Sequence, residues 1–227
     1  MKQDLDSVRN YYCTPRKERA DASVYEIWEQ GSALNDSITP STYVPEYRSH
    51  IVLKLLSLTA DKGSIFSIGC GNGFVEADLV SHGRAVRAID YNEEAVELTR
   101  RKGVDAFTAD FFELTPDDVA GTDALYADGL VGHLWDAREQ VRPALQKIKS
   151  LVLSPGTRLV FSNDSPHDPS AAYAPHDRVD GFWFVSRTYL ADELAAAGFE
   201  PLESYYFPYL RPLSGMRNRT ICVAQVP

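Results

Sequence analysis

The sequence has few cysteines, and their placement excludes a cross-linked framework. Its three cysteines, Cys13, Cys70 and Cys222, are odd in number and widely separated. They match neither a disulfide pattern nor the paired spacing of a zinc site. We therefore expect a reduced, cytoplasmic protein that holds no metal.

Long apolar runs are also missing. No stretch approaches the ~20 apolar residues that a membrane-spanning helix needs. The first six residues, Met-Lys-Gln-Asp-Leu-Asp, lack the apolar centre of a secretory leader. We expect no association with a membrane.

Positively charged residues are also fewer than negatively charged ones. The chain carries 23 Lys and Arg against 32 Asp and Glu, a formal net charge of −9. Nucleic-acid binding draws most of its affinity from neutralising phosphates, and no basic cluster offsets the acidic total. We therefore expect a small-molecule substrate and no nucleic-acid partner.

The 227 residues, 44% hydrophobic, are enough for one well-packed core. After a mostly helical segment at 1–62, short apolar strands alternate with helices from Ser64 onward. This alternation predicts a doubly wound α/β fold with parallel strands. Two strands without a helix between them, at 203–209 and 219–226, predict a closing antiparallel hairpin. We expect an irregular loop over the sheet edge at 165–180.

A glycine-rich turn directly follows the first predicted strand. Gly69-Cys70-Gly71-Asn72-Gly73 opens a helix at the end of the sheet where parallel folds bind ligands. Asp90 ends the second strand, where a carboxylate can accept both hydroxyls of a ribose. A helix cap is the competing interpretation of Asp90. Together the two features favour a ligand that contains a nucleoside.

The glycine spacing favours S-adenosylmethionine (SAM) over a dinucleotide. A dinucleotide fingerprint places its third glycine where this chain has Phe74. That glycine permits close packing around a pyrophosphate, which SAM lacks.

On these residues, the chain from about Ile51 to Val226 resembles the class I SAM-dependent methyltransferases. The resemblance implies a single Rossmann-like, seven-stranded sheet at 63–227 and a helical lid at 1–62. It also implies that Asp110 binds the adenine amino group and that Phe111 flanks the ring. Helix capping competes for both Asp110 and Asp128. The implied SAM site comprises Gly69, Cys70, Gly71, Asp90, Tyr91, Asp110, Phe111, Asp128 and Gly129.

The segment before the sheet is unusually aromatic. The resemblance implies that Tyr12, Tyr43 and Tyr47 close over SAM, with Arg48 paired to its carboxylate. Aromatic faces stabilise a sulfonium by cation–π contact. The competing interpretation makes these tyrosines anchors of the core or of a homodimer interface.

The candidate catalytic residues are His133, Tyr12 and Asp128. Methyl transfer depends mainly on alignment, and a base such as His133 assists an acceptor that must lose a proton. A structural histidine on a helix face is the competing interpretation. The predicted function is SAM-dependent N- or O-methylation of a small molecule, in keeping with specialised metabolism.

Two other functions stay open from the sequence. In the first, the amino group of SAM attacks its own chain, which yields azetidine-2-carboxylate and methylthioadenosine. Some proteins that resemble methyltransferases carry out this reaction. In the second, the chain binds SAM or a dinucleotide without catalysis.

Overall fold

The computed structural model describes residues 5–17, 21–31, 41–177, 179–211 and 215–227. Its main sheet has seven strands in the order β3-β2-β1-β4-β5-β9-β8. The strands are β1 (Ser64–Ile68), β2 (Ala85–Asp90), β3 (Asp105–Thr108), β4 (Ala124–Asp128), β5 (Arg158–Asp164), β8 (Glu200–Arg211) and β9 (Gly215–Gln225). The first five are parallel, and β9 runs antiparallel to both β5 and β8. This confirms the predicted fold class.

Helices cover the sheet and extend over one end of it. They are α1 (Leu5–Cys13), α2 (Val24–Glu29), α3 (Pro45–Leu58), α4 (Phe74–Ser81), α5 (Glu93–Arg101), α6 (Leu130–His133), α7 (Arg142–Ser150) and α8 (Arg187–Ala196). Among the described residues, none of them is long and apolar enough to cross a bilayer.

The strand order reverses between β1 and β4. From β1 the chain moves outward to β2 and β3, and then returns to pair β4 with the other side of β1. Such a reversal opens a crevice beyond the carboxyl ends of the two central strands. The glycine turn after β1 and the segment after β4 therefore face each other across this crevice.

The alternation of side chains along β1 divides the core into two layers. Ile65 packs into one layer with Ile51 and Leu55 of α3. Phe66 and Ile68 point to the other face, which α7 and α8 cover. Burial on both faces explains why apolar residues of β1, Ile65 and Phe66, follow each other without alternation.

The segment before the sheet splits into two parts. Helix α3 belongs to a core layer, whereas α1 and α2 form a separate apolar cluster that includes Tyr25 and Trp28. Ser23 and Glu26 form a reciprocal capping box that starts α2. The boundary between lid and sheet at residue 62 stays a prediction, although α3 packs with the sheet.

The interpretation of 165–180 as a structureless loop was wrong in one respect. Strand β6 (Tyr173–Pro175) pairs antiparallel with β7 (Trp183–Val185) in a second, two-stranded sheet. Three-residue strands are too short for a period-2 pattern to reveal them. The sequence also predicts a turn at 35–42 and a hairpin loop near 212–216. Most of the turn and part of the loop lie outside the described residues.

Candidate active site

A cavity of about 220 Å³ lies at the carboxyl ends of β1, β2 and β4, beside α1 and α2. The glycine turn, the acid after β2 and the segment after β4 all contribute to its walls. The predicted site residues that line it are Tyr12, Gly69, Cys70, Gly71, Asp90, Tyr91, Asp110, Phe111, Asp128, Gly129 and His133.

The glycine turn depends on backbone conformations that other residues rarely adopt. Gly71 has a φ of +54°, and a Cβ added there would meet no atom within 4 Å. Gly73 has a φ of +69°, and its Cβ would lie 2.5 Å from the side-chain oxygen of Thr99. Gly73 thus allows close packing against α5, and Gly71 leaves open space in the cavity wall.

Asp90 is fixed beside the glycine turn by backbone donors. Its carboxylate accepts hydrogen bonds from the Gly71 and Asn92 amides, each at 2.9 Å. Burial raises the pKa of Asp90, and these amide donors oppose the rise. A fixed carboxylate next to open backbone fits the hydroxyls of a ribose.

Asp110 caps a short helix and also lines the cavity, so its placement is compatible with both interpretations that the sequence left open. Its carboxylate accepts a hydrogen bond from the Phe112 amide at 2.8 Å and so caps the short 3₁₀ helix Phe111–Glu113. It also lines the cavity, together with Phe111 and Tyr91. This group of side chains fits an adenine ring and its amino group.

A buried network of charges occupies the far wall of the cavity. Arg219 forms ion pairs with Asp128 and, at 3.1 Å, with Asp164. Arg211 lies 3.3 Å from Asp164. Burial alone would raise the pKa of Asp164, but Arg219 and Arg211 lower it to about 2. The positive charges of Arg211 and Arg219 therefore compensate the negative charges of Asp128 and Asp164. The ion pair with Arg219 holds Asp128 in place.

His133 and Tyr12 meet across the cavity from distant parts of the chain. The Tyr12 hydroxyl lies 2.9 Å from His133 Nε2. Burial, with a smaller contribution from nearby His176, lowers the pKa of His133 to about 4. Burial also keeps the pKa of Tyr12 far above its usual value. At neutral pH both side chains are uncharged, and among the described residues His133 Nδ1 has no hydrogen-bond partner.

Tyr43, Tyr47 and Arg48 are not among the residues that line the cavity. Tyr47 is fully buried behind it and donates a hydrogen bond to Asp128 at 2.9 Å. Tyr43 packs against Phe74, and Arg48 forms an ion pair with Asp78 at 3.1 Å. Direct contact of these three residues with SAM is a prediction that their placement does not support.

Several lining residues were missed in the sequence. Three charged residues that line the cavity lie inside helices or strands: Glu76, Arg211 and Arg219. Only Glu76 could have been noticed in the sequence, as an acid between the apolar residues of α4. The lid and hairpin residues need tertiary packing to reach the cavity. They are Tyr11, Tyr25, Trp28, His176, Val179 and Phe182.

Two asparagines form hydrogen bonds between helix α2 and the loops that follow β1 and β2. The Asn72 amide donates to the Tyr25 carbonyl at 3.1 Å and to Glu29 at 2.8 Å. The Asn92 amide donates to the Tyr25 hydroxyl at 2.9 Å. Helix α2 is therefore held by the same loops that carry Gly71 and Asp90.

Comparison with known proteins agrees with this geometry. Residues 66–161 match the family described as "methyltransferase domain". A "tabtoxin biosynthesis enzyme" of Pseudomonas amygdali pv. tabaci is 63% identical over 226 residues, which are 99% of this chain and 90% of that protein. A probable SAM-dependent methyltransferase of Mycobacterium tuberculosis is 28% identical over 194 residues, which are 79% of this chain and 65% of that protein.

A solved structure extends the likeness to the fold. The 1,6-didemethyltoxoflavin-N1-methyltransferase of Burkholderia thailandensis, with bound 1,6-didemethyltoxoflavin and S-adenosylhomocysteine, matches with a TM-score of 0.62. It is 23% identical, and the match covers 97% of this chain and 85% of that chain. The glycine turn, the acids after β2 and β3 and these relatives together show that the chain belongs to the class I SAM-dependent methyltransferase superfamily, with SAM as its cofactor.

Proposed function

We propose that this enzyme transfers the methyl group of SAM to a nitrogen or oxygen of a small acceptor in specialised metabolism. The observation that carries the proposal is the hydrogen-bonded Tyr12–His133 pair in the wall of the SAM cavity. The 63% identity to a protein named for tabtoxin biosynthesis supports the assignment to specialised metabolism.

The cavity supports a displacement at the methyl carbon of SAM. SAM supplies a carbon electrophile next to a sulfonium. Tyr12 and Trp28 contribute aromatic side chains to the cavity wall, and aromatic rings favour a sulfonium without offering a nucleophile. Alignment of the reactants accounts for much of the rate in a displacement of this kind.

His133 is the proposed proton acceptor. An acceptor amine or hydroxyl forms its new bond to the methyl carbon while the carbon–sulfur bond breaks and its electron pair stays on sulfur. In the tautomer whose Nε2–H donates to the Tyr12 hydroxyl, the proton that the acceptor loses passes to His133 Nδ1, which has no other hydrogen-bond partner among the described residues. Tyr12 orients the ring through Nε2.

Cyclisation of SAM is the second candidate function. It needs no acceptor, so the SAM cavity alone would suffice for it. In the second candidate, the neutral amino nitrogen of SAM attacks its own γ-carbon and releases methylthioadenosine with azetidine-2-carboxylate.

Incubation with SAM alone separates the two functions. We expect SAM to remain intact in the absence of an acceptor, and S-adenosylhomocysteine to form once a suitable small amine or alcohol is added. Mass spectrometry of the products identifies both events. Methylthioadenosine formed faster than in a protein-free control would overturn methyl transfer in favour of cyclisation.

A further inference from the structure

One carboxylate in the cavity has no cationic partner among the described residues. Glu76, in the first turn of α4, is 3% exposed and lines the cavity. Its side chain accepts a hydrogen bond from the Ser67 hydroxyl at 2.5 Å. No Lys or Arg of the described chain lies within ion-pair distance of it.

The other acids that line the cavity already have partners. Backbone amides hold Asp90 and Asp110, and the two buried arginines hold Asp128 and Asp164. Glu76 is therefore the one lining acid, in the described part of the chain, without an amide donor from another residue or a guanidinium. Its negative charge is left for a ligand.

Burial makes this charge costly while it stays uncompensated. Burial and the charges of Asp128 and Asp90 together raise the pKa of Glu76 to about 7, against the opposing hydrogen bond from Ser67. A cation in the cavity would remove this cost.

SAM carries two cationic groups, the sulfonium and the α-ammonium, and they differ in what they need. A sulfonium has no N–H donors and is satisfied by aromatic faces such as those of the lid. An ammonium has three donors and requires acceptors, which a carboxylate supplies. Glu76 lies three positions after Gly73, the last glycine of the turn, and lines the same cavity as Gly71 and Asp90.

We propose that the Glu76 carboxylate binds the α-ammonium group of SAM. The inference rests on the SAM site and not on which reaction follows. It makes Glu76 the residue that controls the charge of the amino end of the ligand. In methyl transfer this contact holds the amine in its protonated, unreactive form.

Binding of two cofactor fragments to the Glu76→Gln variant tests the proposal. S-adenosylhomocysteine keeps the ammonium and lacks the sulfonium charge, whereas methylthioadenosine lacks the whole amino-acid end. By isothermal titration we expect the variant to bind S-adenosylhomocysteine at least tenfold more weakly and methylthioadenosine within twofold of the unmodified protein. Equal losses for both ligands, or no loss for either, would overturn the proposal.

Glu94→Gln is the matched control. Glu94 also accepts a hydrogen bond from a serine hydroxyl, that of Ser23, but it is not among the residues that line the cavity. We expect this variant to bind both ligands as the unmodified protein does. If the unmodified protein bound neither ligand, the proposed function would fail together with this inference. If it bound both ligands and the variant lost affinity for neither, only the assignment of Glu76 would fail.

Proton release by the unmodified protein gives a second measurement that needs no variant. Asp128, Asp90, Cys70 and Tyr126 face Glu76 from the neighbouring elements. Arg219 keeps Asp128 paired, and burial keeps Cys70 and Tyr126 protonated. Titrations near pH 7 in two buffers of different ionisation enthalpy should show proton release with S-adenosylhomocysteine and none with methylthioadenosine. The same proton count for both ligands would contradict the assignment.

Discussion

At the scale of single residues, His133 and Tyr12 form the contact that we expect to matter most for the rate. Replacement His133→Phe removes the proton acceptor but keeps an aromatic ring in the cavity wall. We expect product formation to fall by about 10²-fold or more, with the affinity for S-adenosylhomocysteine within about threefold. Steady-state kinetics and isothermal titration measure these two effects.

The pH profile provides a check on the same residue. Because burial lowers the pKa of His133 to about 4, its protonation should not reduce the rate above about pH 5. Tyr12→Phe removes the hydrogen bond to Nε2 and should lower the rate less than His133→Phe does. A His133→Phe enzyme with full activity would instead make His133 a structural residue.

Glu76 should also make the free energy of unfolding depend on pH. In the ligand-free fold the raised pKa favours the protonated carboxyl, so its contribution to stability is present below pH 4.5 and is lost as pH rises to about 7. Glu76→Gln abolishes this titration. Relative to the unmodified protein, the variant should gain up to about 3 kcal/mol in unfolding free energy between pH 4.5 and pH 8. Urea unfolding at the two pH values measures the change, and a constant difference would contradict it.

At the scale of elements, the glycine turn offers a matched pair of substitutions. Gly71 and Gly83 both have positive φ, and an added Cβ meets no atom within 4 Å at either position. Only Gly71 lines the cavity. We expect Gly71→Ala and Gly83→Ala to lose similar stability, about 1–2 kcal/mol from the strained backbone.

Ligand affinity should separate these two variants. The Cβ at position 71 would occupy space in the cavity wall, so Gly71→Ala should bind S-adenosylhomocysteine at least tenfold more weakly. Gly83→Ala should bind it normally. Thermal unfolding and isothermal titration of both proteins give the comparison, and equal affinities would show that the ligand does not approach this turn.

The shortest secondary-structure elements are the ones that the sequence did not predict. The sequence predicts a helix at 74–81 directly after the glycine turn, and these are the observed bounds of α4. The β6–β7 hairpin was missed because its strands have three residues each. Its neighbours Val179 and Phe182 still reach the cavity, so an unpredicted element contributes to the site.

At the scale of the whole molecule, ligand binding should stabilise the fold. A ligand that binds only the folded state at about 100 times its dissociation constant contributes ~2.7 kcal/mol. For a chain of this size that corresponds to a rise in Tm of roughly 5–11 °C. We expect this rise with S-adenosylhomocysteine and none with NADH, measured by differential scanning fluorimetry. The reverse result would favour a dinucleotide site.

Two further properties of the whole molecule stay predictions. The net charge of −9 predicts no affinity for nucleic acid, and the aromatic first segment left a homodimer open. Light scattering coupled to size exclusion determines the oligomeric state.

The sequence by itself determined the fold class and the cofactor, and it predicted the residues after β1, β2 and β3 that line one half of the cavity. Those residues follow directly after strands, so hydrophobic periodicity and glycine spacing fix where they lie in space. Only the tertiary structure decided the other half. Tyr12 meets His133 across 121 positions of the chain, and Arg219 reaches Asp128 from the last strand of the sheet. Contacts between distant segments depend on packing and burial, which also set the charge of Glu76, and no local pattern records them.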